Sequence, residues 1–196
     1  MFDSSAFRSA LGSFVTGVTI VTVRNPAGEP MGLTANSFNS VSLDPPMVLW
    51  SLSLRSRSLA DFRVADSWAV HVLAADQQEM SDRFASPDID RFSGLEVRDG
   101  PEGAPLIEGC AARFGCRARF EYEGGDHAIF LGEVIDFHRR ETEPLIYHAG
   151  RYGRVMGEAG RGDLERFGYA ERAGDGLRLT ERGLQMLDAL KAVSQP

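Results

Sequence analysis

The side chains with the greatest capacity for chemistry crowd into one stretch, "MGLTANSFNSVSLDPPMVLWSLSLRSRS", residues 31–58. Its first half carries Thr34, Asn36, Ser37, Asn39, Ser40 and Ser42, and its second half Ser51, Ser53, Arg55, Ser56, Arg57 and Ser58. Ser and Asn are common turn formers, yet these flank apolar runs at 14–23 and 47–50 that belong to a folded core. The first group offers short hydroxyls, amides and backbone N–H donors. Such donors suit the edge of a planar heterocycle that alternates carbonyls with nitrogens. The second group sets hydroxyls and arginines directly before an expected helix. That is an anion site of the kind a phosphate takes, with the helix dipole adding to the donors.

Other chemistries lack their residues. There is no GxGxxG or GxxxxGK[ST] loop and no GxSxG nucleophile elbow. Carboxylates are plentiful, but no pair stands in a site-like setting. The four histidines (His71, His127, His138, His148) show no metal-ligand spacing. Cys110 and Cys116 are an even number of residues apart and would share a face if they lay on one strand. They are expected to be reduced, buried core thiols. A formal net charge of −7 and a pI near 5.1 disfavour nucleic acid as a partner. No apolar run is long enough to span a bilayer, and "MFDSSAFRSA" lacks the basic and apolar regions of a signal peptide. A cytoplasmic protein without a membrane partner is expected.

The elements that must position these groups follow from periodicity. At 196 residues, 43% hydrophobic and 25% charged, the chain fits one globular domain with a small appendage. Ser4 or Ser5 is expected to cap a first helix with Phe7, Leu11 and Phe14 on one face. The β-branched run 14–23 reads as a strand closed by the Asn25-Pro26-Ala27-Gly28 turn. Residues 47–52 read as a buried strand after Pro45-Pro46, with Ser56 or Ser58 capping a short helix that presents Leu59 and Phe62. "SWAVHVLA" is the next strand, and Asp76 is expected to cap a helix carrying Met80 and Phe84. Residues 85–109 read as an irregular excursion rich in Gly, Pro and Asp. In "ARFGCRARF", Ala112, Phe114, Cys116, Ala118 and Phe120 alternate with arginines, and Glu123-Gly124-Gly125-Asp126 turns the strand into "HAIFLGEVIDF". "PLIYHAGRYGRV" supplies a last short strand. Many strands and few helices predict a mainly β fold, an antiparallel barrel with peripheral helices.

The ring-edge and phosphate demands of a flavin would account for both polar groups at once. Gly32-Leu33-Thr34-Ala35-Asn36-Ser37-Phe38 followed by Val41-Ser42-Leu43-Asp44-Pro45-Pro46 resembles the most recognisable motif of the flavin reductase-like, FMN-binding split-barrel family. "DRFAS" (82–86), "GDHAIFLGEV" (125–134) and "PLIYHAGRYGRV" resemble further motifs of that family in the expected order, over nearly all of residues 5–155. The resemblance implies a homodimeric antiparallel split β-barrel that binds FMN or FAD without a covalent link. It implies a hydride taken from NADH or NADPH and reduced flavin passed to a partner flavin-dependent monooxygenase. By resemblance, Thr34, Ala35, Asn36 and Ser37 line the isoalloxazine ring, and Ser51, Arg55, Ser56 and Ser58 hold the ribityl phosphate. Arg83 and Phe84 close the phosphate side, His127 reaches the flavin and nicotinamide face as the catalytic candidate, and Tyr152 borders the same pocket. Trp50 departs from the family, in which many members carry a smaller residue there. Its bulk either reshapes the pocket or fills core.

The family-like domain is assigned to residues 1–156 and a small α/β extension to 157–196. In the extension, short strand-like pieces surround Asp175-Gly176, and Thr180 caps a helix with Leu184, Leu187 and Leu190 on one stripe. This tail resembles the wing and last helix of MarR-type winged-helix proteins. From Arg161 onward six basic residues balance six acidic ones, which suits packing better than DNA binding. A flavin-binding sensor that works through this tail is the alternative to a reductase.

Overall fold

The computed structural model describes residues 2–155, 164–174 and 176–193. The chain divides into two compact units, Met1–Arg154 and Val155–Pro196. The first unit opens with helix α1 (Ser4–Leu11), a two-residue strand β1 (Thr16–Gly17), β2 (Thr19–Arg24) and β3 (Pro30–Ala35). After β4 (Asn39–Leu43) and β5 (Pro46–Ser53) come α2 (Leu59–Val64), β6 (Ser67–Val72) and α3 (Gln78–Ala85). Short strands β7 (Val97–Asp99) and β8 (Pro105–Ile107) precede the long pair β9 (Ala112–Gly124) and β10 (His127–Arg139). The hairpin β11 (Leu145–His148) and β12 (Arg151–Arg154) ends the unit.

Seven strands form one antiparallel sheet in the order β3-β2-β6-β9-β10-β5-β4, the split barrel expected from the sequence. β2 is β-branched and buried along nearly its whole length, as suits a central strand covered on both faces. The run 14–23 serves two sheets, because β1 pairs with β11 outside the barrel while β2 joins it. β5 is not continuously buried as expected. It alternates, with Val48, Trp50 and Leu52 inside and their neighbours half-exposed.

The barrel interior is aromatic. Trp50 stacks on Phe130 with ring centroids 5.0 Å apart and meets Phe62 edge-on at 4.7 Å. Trp50 and Trp68 are both fully buried, so the bulk of Trp50 fills core. Gly132 makes room for this cluster, since a Cβ there would fall on the Trp68 ring.

On β9, Phe114, Cys116 and Ala118 pack on the core as the alternation predicts, but Phe120 does not. The register slips there: Ala118 faces Gly132, yet Phe120 faces Leu131. The extra residue, Arg119, is a bulge that turns Phe120 to the outer face, where it stacks on Tyr122 at 6.2 Å. Arg113, Arg117 and Arg119 pair with Glu108, Glu102 and Glu133.

Three cap expectations are corrected. Asp3, not Ser4 or Ser5, caps α1, its Oδ1 accepting the Ser5 and Ala6 N–H groups at 2.9 and 3.1 Å. Ser58 stands at the N-cap of α2 but its side chain makes no capping bond. Gln77, not Asp76, stands before α3, and its amide oxygen accepts the Ala74 N–H instead. The excursion at 85–109 is also less irregular than expected, because β7 and β8 pair around a short turn at Pro101–Gly103. Cys110 lies before β9 rather than on it; both cysteines are buried and free.

In the second unit, β13 (Ala170–Ala173) and β14 (Gly176–Leu179) form an antiparallel hairpin. A helix, Glu181–Val193, follows with Thr180 accepting the Gly183 N–H, as expected of its cap. Leu184 and Leu187 of the expected stripe are exposed, and the Leu190 side chain lies outside the described residues. Among the described residues no helix is long and apolar enough to cross a membrane.

Candidate functional site

The sheet has two edges, β3 and β4, and residues 36–38 carry the chain from one to the other. The first polar cluster sits on this crossing. Ser37 donates from its hydroxyl to Ser51 O (3.0 Å) and accepts the Ser51 N–H (2.9 Å). That reciprocal pair ties the crossing to β5. Thr34 donates to Ser81 O at 2.7 Å, and Thr19 donates to Ala35 O at 2.6 Å. The Asn36 amide makes no side-chain hydrogen bond within the described residues. The hydroxyls of Thr34 and Ser37 are thus largely engaged within the fold.

A chain of hydroxyls continues from Thr34. Tyr152 donates to Asp82 Oδ1 at 2.8 Å, because the carboxylate can only accept. Tyr152 has one proton, so the 2.9 Å contact with Ser81 is donated by the serine. Burial pushes the Tyr152 phenol up, and the Asp82 carboxylate beside it adds to the rise. Tyr152 is therefore a neutral phenol held against Ser81 and Asp82 of α3. Ser81 was missed in the sequence, where only a polar helix face marks it, and Asp82 was read only as part of "DRFAS" without a role of its own.

The second cluster lies in the loop after β5. Arg55, Ser56 and Ser58, together with Arg57, line a cavity of about 880 Å³. Residues 30–33 of β3 and the loop 85–93 form its other walls. Ser53 Oγ accepts the Arg55 N–H and Ser56 Oγ the Ser58 N–H, each at 3.3 Å. Arg55 makes no side-chain hydrogen bond or ion pair among the described residues. Arg57 pairs with Asp88 across the cavity at 2.6 Å. Arg91 is fixed in the wall, donating to Gly32 O and Ser86 O, each at 2.8 Å. Burial, with Arg57 nearby, lowers its pKa. Asp88 and Arg91 sit in an unpatterned polar stretch and had no signal in the sequence.

Of the residues expected at the site only Arg55, Ser56 and Ser58 line this cavity; Thr34, Ala35, Asn36, Ser37, Ser51, Arg83, Phe84, His127 and Tyr152 do not. Ser51 is the partner of Ser37. Arg83 donates to the carbonyls of Asp90 and Ser93, and Phe84 is fully buried, edge-on to Phe92 at 5.0 Å. Both hold the loop 85–93 from behind, which corrects the expectation that they close the phosphate side by contact. The phosphate expectation also loses its helix. α2 has six residues, too few for a strong dipole, so the loop donors and arginines must carry an anion.

His127 begins β10 opposite Ser53, and the Leu54 N–H bonds Asp126 O at 2.9 Å, so the hairpin turn abuts the Ser/Arg loop. His127 Nδ1 donates to Asp126 Oδ1 at 2.7 Å, leaving Nε2 without a partner among the described residues. That bond, with Arg55 nearby, holds the Asp126 carboxyl below its usual range. A smaller cavity of about 380 Å³ lies on the β1 side of Phe38, between Thr16, Thr19 and Ile146. The Thr16 hydroxyl is buried with no partner among the described residues.

This arrangement supplies donors, cations and apolar walls rather than a nucleophile. The thiols are inert, burial having pushed Cys110 up to about 11 and Cys116 to about 12. Among the described residues no group of His, Cys, Asp or Glu could hold a metal.

A family model, "Flavin reductase like domain", matches residues 11–156. The chain is 46% identical over 152 residues to "FMN reductase (NADH) SmoA" of Agrobacterium fabrum, covering 78% of this chain and 86% of that one. It is 37% identical over 171 residues to "Flavin-dependent monooxygenase, reductase subunit HsaB" of Rhodococcus jostii, covering 84% of this chain and 87% of that one. Among solved structures, the Streptomyces globisporus NADH:FAD oxidoreductase SgcE6, in complex with NAD and FAD fragments, superposes with a TM-score of 0.75. It is 41% identical, over 80% of this chain and 95% of that one. Some similar proteins are longer: the chain spans 58% of one relative and 53% of one solved structure. The tail from residue 157 lies outside the family match.

Proposed function

The chain belongs to the flavin reductase-like family, and from that premise we propose an NADH- or NADPH-dependent reductase of FMN or FAD. It supplies reduced flavin to a flavin-dependent monooxygenase, as the names of its relatives indicate for them. The observation that carries this reading is the 880 Å³ cavity whose Arg55 has no ion-pair partner among the described residues, with Ser56 and Ser58 beside it. The residues fit the group: the cavity offers hydroxyls and a free cation for a phosphate, and β3, whose residues 30–33 line it, runs on into the polar crossing. When bound, the flavin supplies the hydride-accepting ring.

The protein's own residues bind and orient. Arg55, Ser56 and Ser58 hold the ribityl phosphate, and Ser51, tied to Ser37, anchors the end of the strand that leads into their loop. Backbone N–H groups at Thr34, Ala35, Asn36 and Ser37 face the ring edge and stabilise negative charge as it develops there. The Asn36 amide is the side chain of that segment free to join them. His127, oriented by Asp126, presents Nε2 to the ring or the nicotinamide as a positioning or proton-supplying group. Tyr152 stands outside the cavity lining, bonded to Ser81 and Asp82, while Arg83 and Phe84 act indirectly by fixing the loop 85–93.

The same proposal includes a homodimer. Phe7, Leu11 and Phe14 around α1, and the Phe120–Tyr122 pair on the outer sheet, expose large apolar surfaces suited to a second copy. It also places the protein in the cytoplasm, where reduced nicotinamide is made.

Mixing the purified chain with NADH or NADPH and free FMN or FAD tests the reading. Nicotinamide absorbance should fall much faster than in a protein-free control. Equal rates with every pair would remove the reductase assignment.

A further inference from the structure

We propose that residues 87–89 form a gate over the cavity between the Ser/Arg loop and the loop 85–93, and that the Arg57–Asp88 ion pair sets how fast a flavin leaves it. This rests on the reductase reading for its ligand and adds a step to it. A reductase that hands reduced flavin on must release it in every turnover.

The loop has a fixed frame. Arg83 donates to the carbonyls of Asp90 and Ser93, and Arg91 ties Ser86 O to Gly32 O on β3. Asp90 Oδ1 accepts the Phe92 and Ser93 N–H groups at 3.1 Å each, and Phe92 packs edge-on to Phe84. Ser86 continues the end of α3, its N–H donating to Asp82 O at 3.0 Å. Both ends of the loop are therefore held.

The tip between these anchors is not. Pro87, Asp88 and Ile89 are exposed, and among the described residues their backbone makes no hydrogen bond. The tip has one side-chain tie there, the Asp88 carboxylate, which accepts from Arg57 Nη1 at 2.6 Å. Asp88, Ile89 and Arg57 all belong to the cavity lining. The Arg57 and Asp88 side chains are 79% and 70% exposed, so their bond crosses from wall to wall on the solvent side. A flavin seated below it must part the pair to leave.

Backbone and charge make this tie easy to open. Asp88 holds φ at +58°, in the left-handed region, immediately after Pro87. Asp tolerates that region better than most residues, yet such a conformation persists only where its surroundings impose it. At Asp88 the imposing contact is Arg57. Exposed ion pairs are weak and screened by salt. The pair is thus strong enough to slow release a few-fold and weak enough to part in each turnover.

Stopped-flow dilution of the full chain loaded with FMN or riboflavin reads the release rate by flavin fluorescence, for the wild type, Arg57→Gln, Arg57→Lys and Asp88→Asn. Riboflavin has no phosphate, so its release isolates the gate from the phosphate contacts; Asn keeps the left-handed tolerance of Asp. Arg57→Gln and Asp88→Asn should release both flavins roughly two- to fivefold faster, the range of an exposed ion pair. Arg57→Lys keeps the charge and should stay near the wild-type rate. Raising NaCl from about 0.02 M to about 0.5 M should speed riboflavin release from the wild type by a similar factor and leave Arg57→Gln and Asp88→Asn unmoved. Equal riboflavin rates in all four proteins, with wild-type circular dichroism and melting, would overturn the gate. So would faster release of FMN alone in Arg57→Gln, which would make Arg57 a phosphate ligand instead. NADH oxidation tests the reductase reading separately: if it persists while riboflavin release ignores the variants, only the gate falls. A chain that holds neither flavin overturns both.

Discussion

His71, fully buried on β6, donates from Nδ1 to Ile20 O (3.1 Å) and accepts the Ile107 N–H at Nε2 (3.0 Å). A protonated ring has no acceptor, so this pairing requires the neutral form. Burial is the main cause that lowers its pKa to about 4 from 6.5, with Arg113 adding repulsion and the Ile20 carbonyl opposing. Between those values the unfolded chain binds the extra proton and the folded chain does not. This contribution is therefore complete above pH 6.5 and shrinks as pH falls toward 4, by at most about 3 kcal/mol. Urea midpoints taken at pH 7.5 and pH 4.5 should fall with acid, and His71→Asn should flatten that part of the slope; an unaltered slope counts against it. At Ser37, alanine removes a hydroxyl that serves both backbone groups of Ser51. We expect Ser37→Ala to cost about 1–3 kcal/mol of stability. Should the melting point hold while flavin affinity alone drops, the hydroxyl serves ligand rather than fold.

At the level of elements, the loop 85–93 depends on how closely it can approach β3. A Cβ at Gly32 would come within 2.9 Å of Phe84 and 3.2 Å of Phe92, and Gly32 O holds Arg91. Gly32→Ala should cost about 1–3 kcal/mol by overpacking and weaken flavin binding, as measured by fluorescence titration. Retained affinity would show that the loop is not a wall of the working site. Most strands were legible in the sequence, because β2, β6 and the β9–β10 hairpin carry β-branched runs, alternation and a Gly-Gly turn. The Arg119 bulge was not, since a register slip leaves no mark on an alternating pattern until partners are known. The caps misread for the same reason: Asp3, Ser4 and Ser5 are all competent, and backbone geometry chooses among them. In the site, hydroxyl-rich types identified the crossing and the Ser/Arg loop. Which hydroxyls the fold itself consumes, as with Thr34 and Ser37, depends on contacts as far off as Ser81.

At the scale of the whole molecule, the barrel unit has its own core, and the family match ends at residue 156. A chain cut after that residue should fold and reduce flavin at close to the full-length rate, assayed by NADH absorbance. A large loss of rate with intact circular dichroism would give the extension a catalytic part. Light scattering should return twice the chain mass, and Phe120→Glu with Tyr122→Glu should lower it toward one if the outer sheet is the contact. The crossing at residues 36–38 has a kinetic meaning as well. The two edge strands are joined by only three residues, so bringing them side by side costs little loop entropy. A circular permutant opened at Ser37 would turn that local step into a search across the whole chain, slowing refolding and exposing two sticky strands while it lasts.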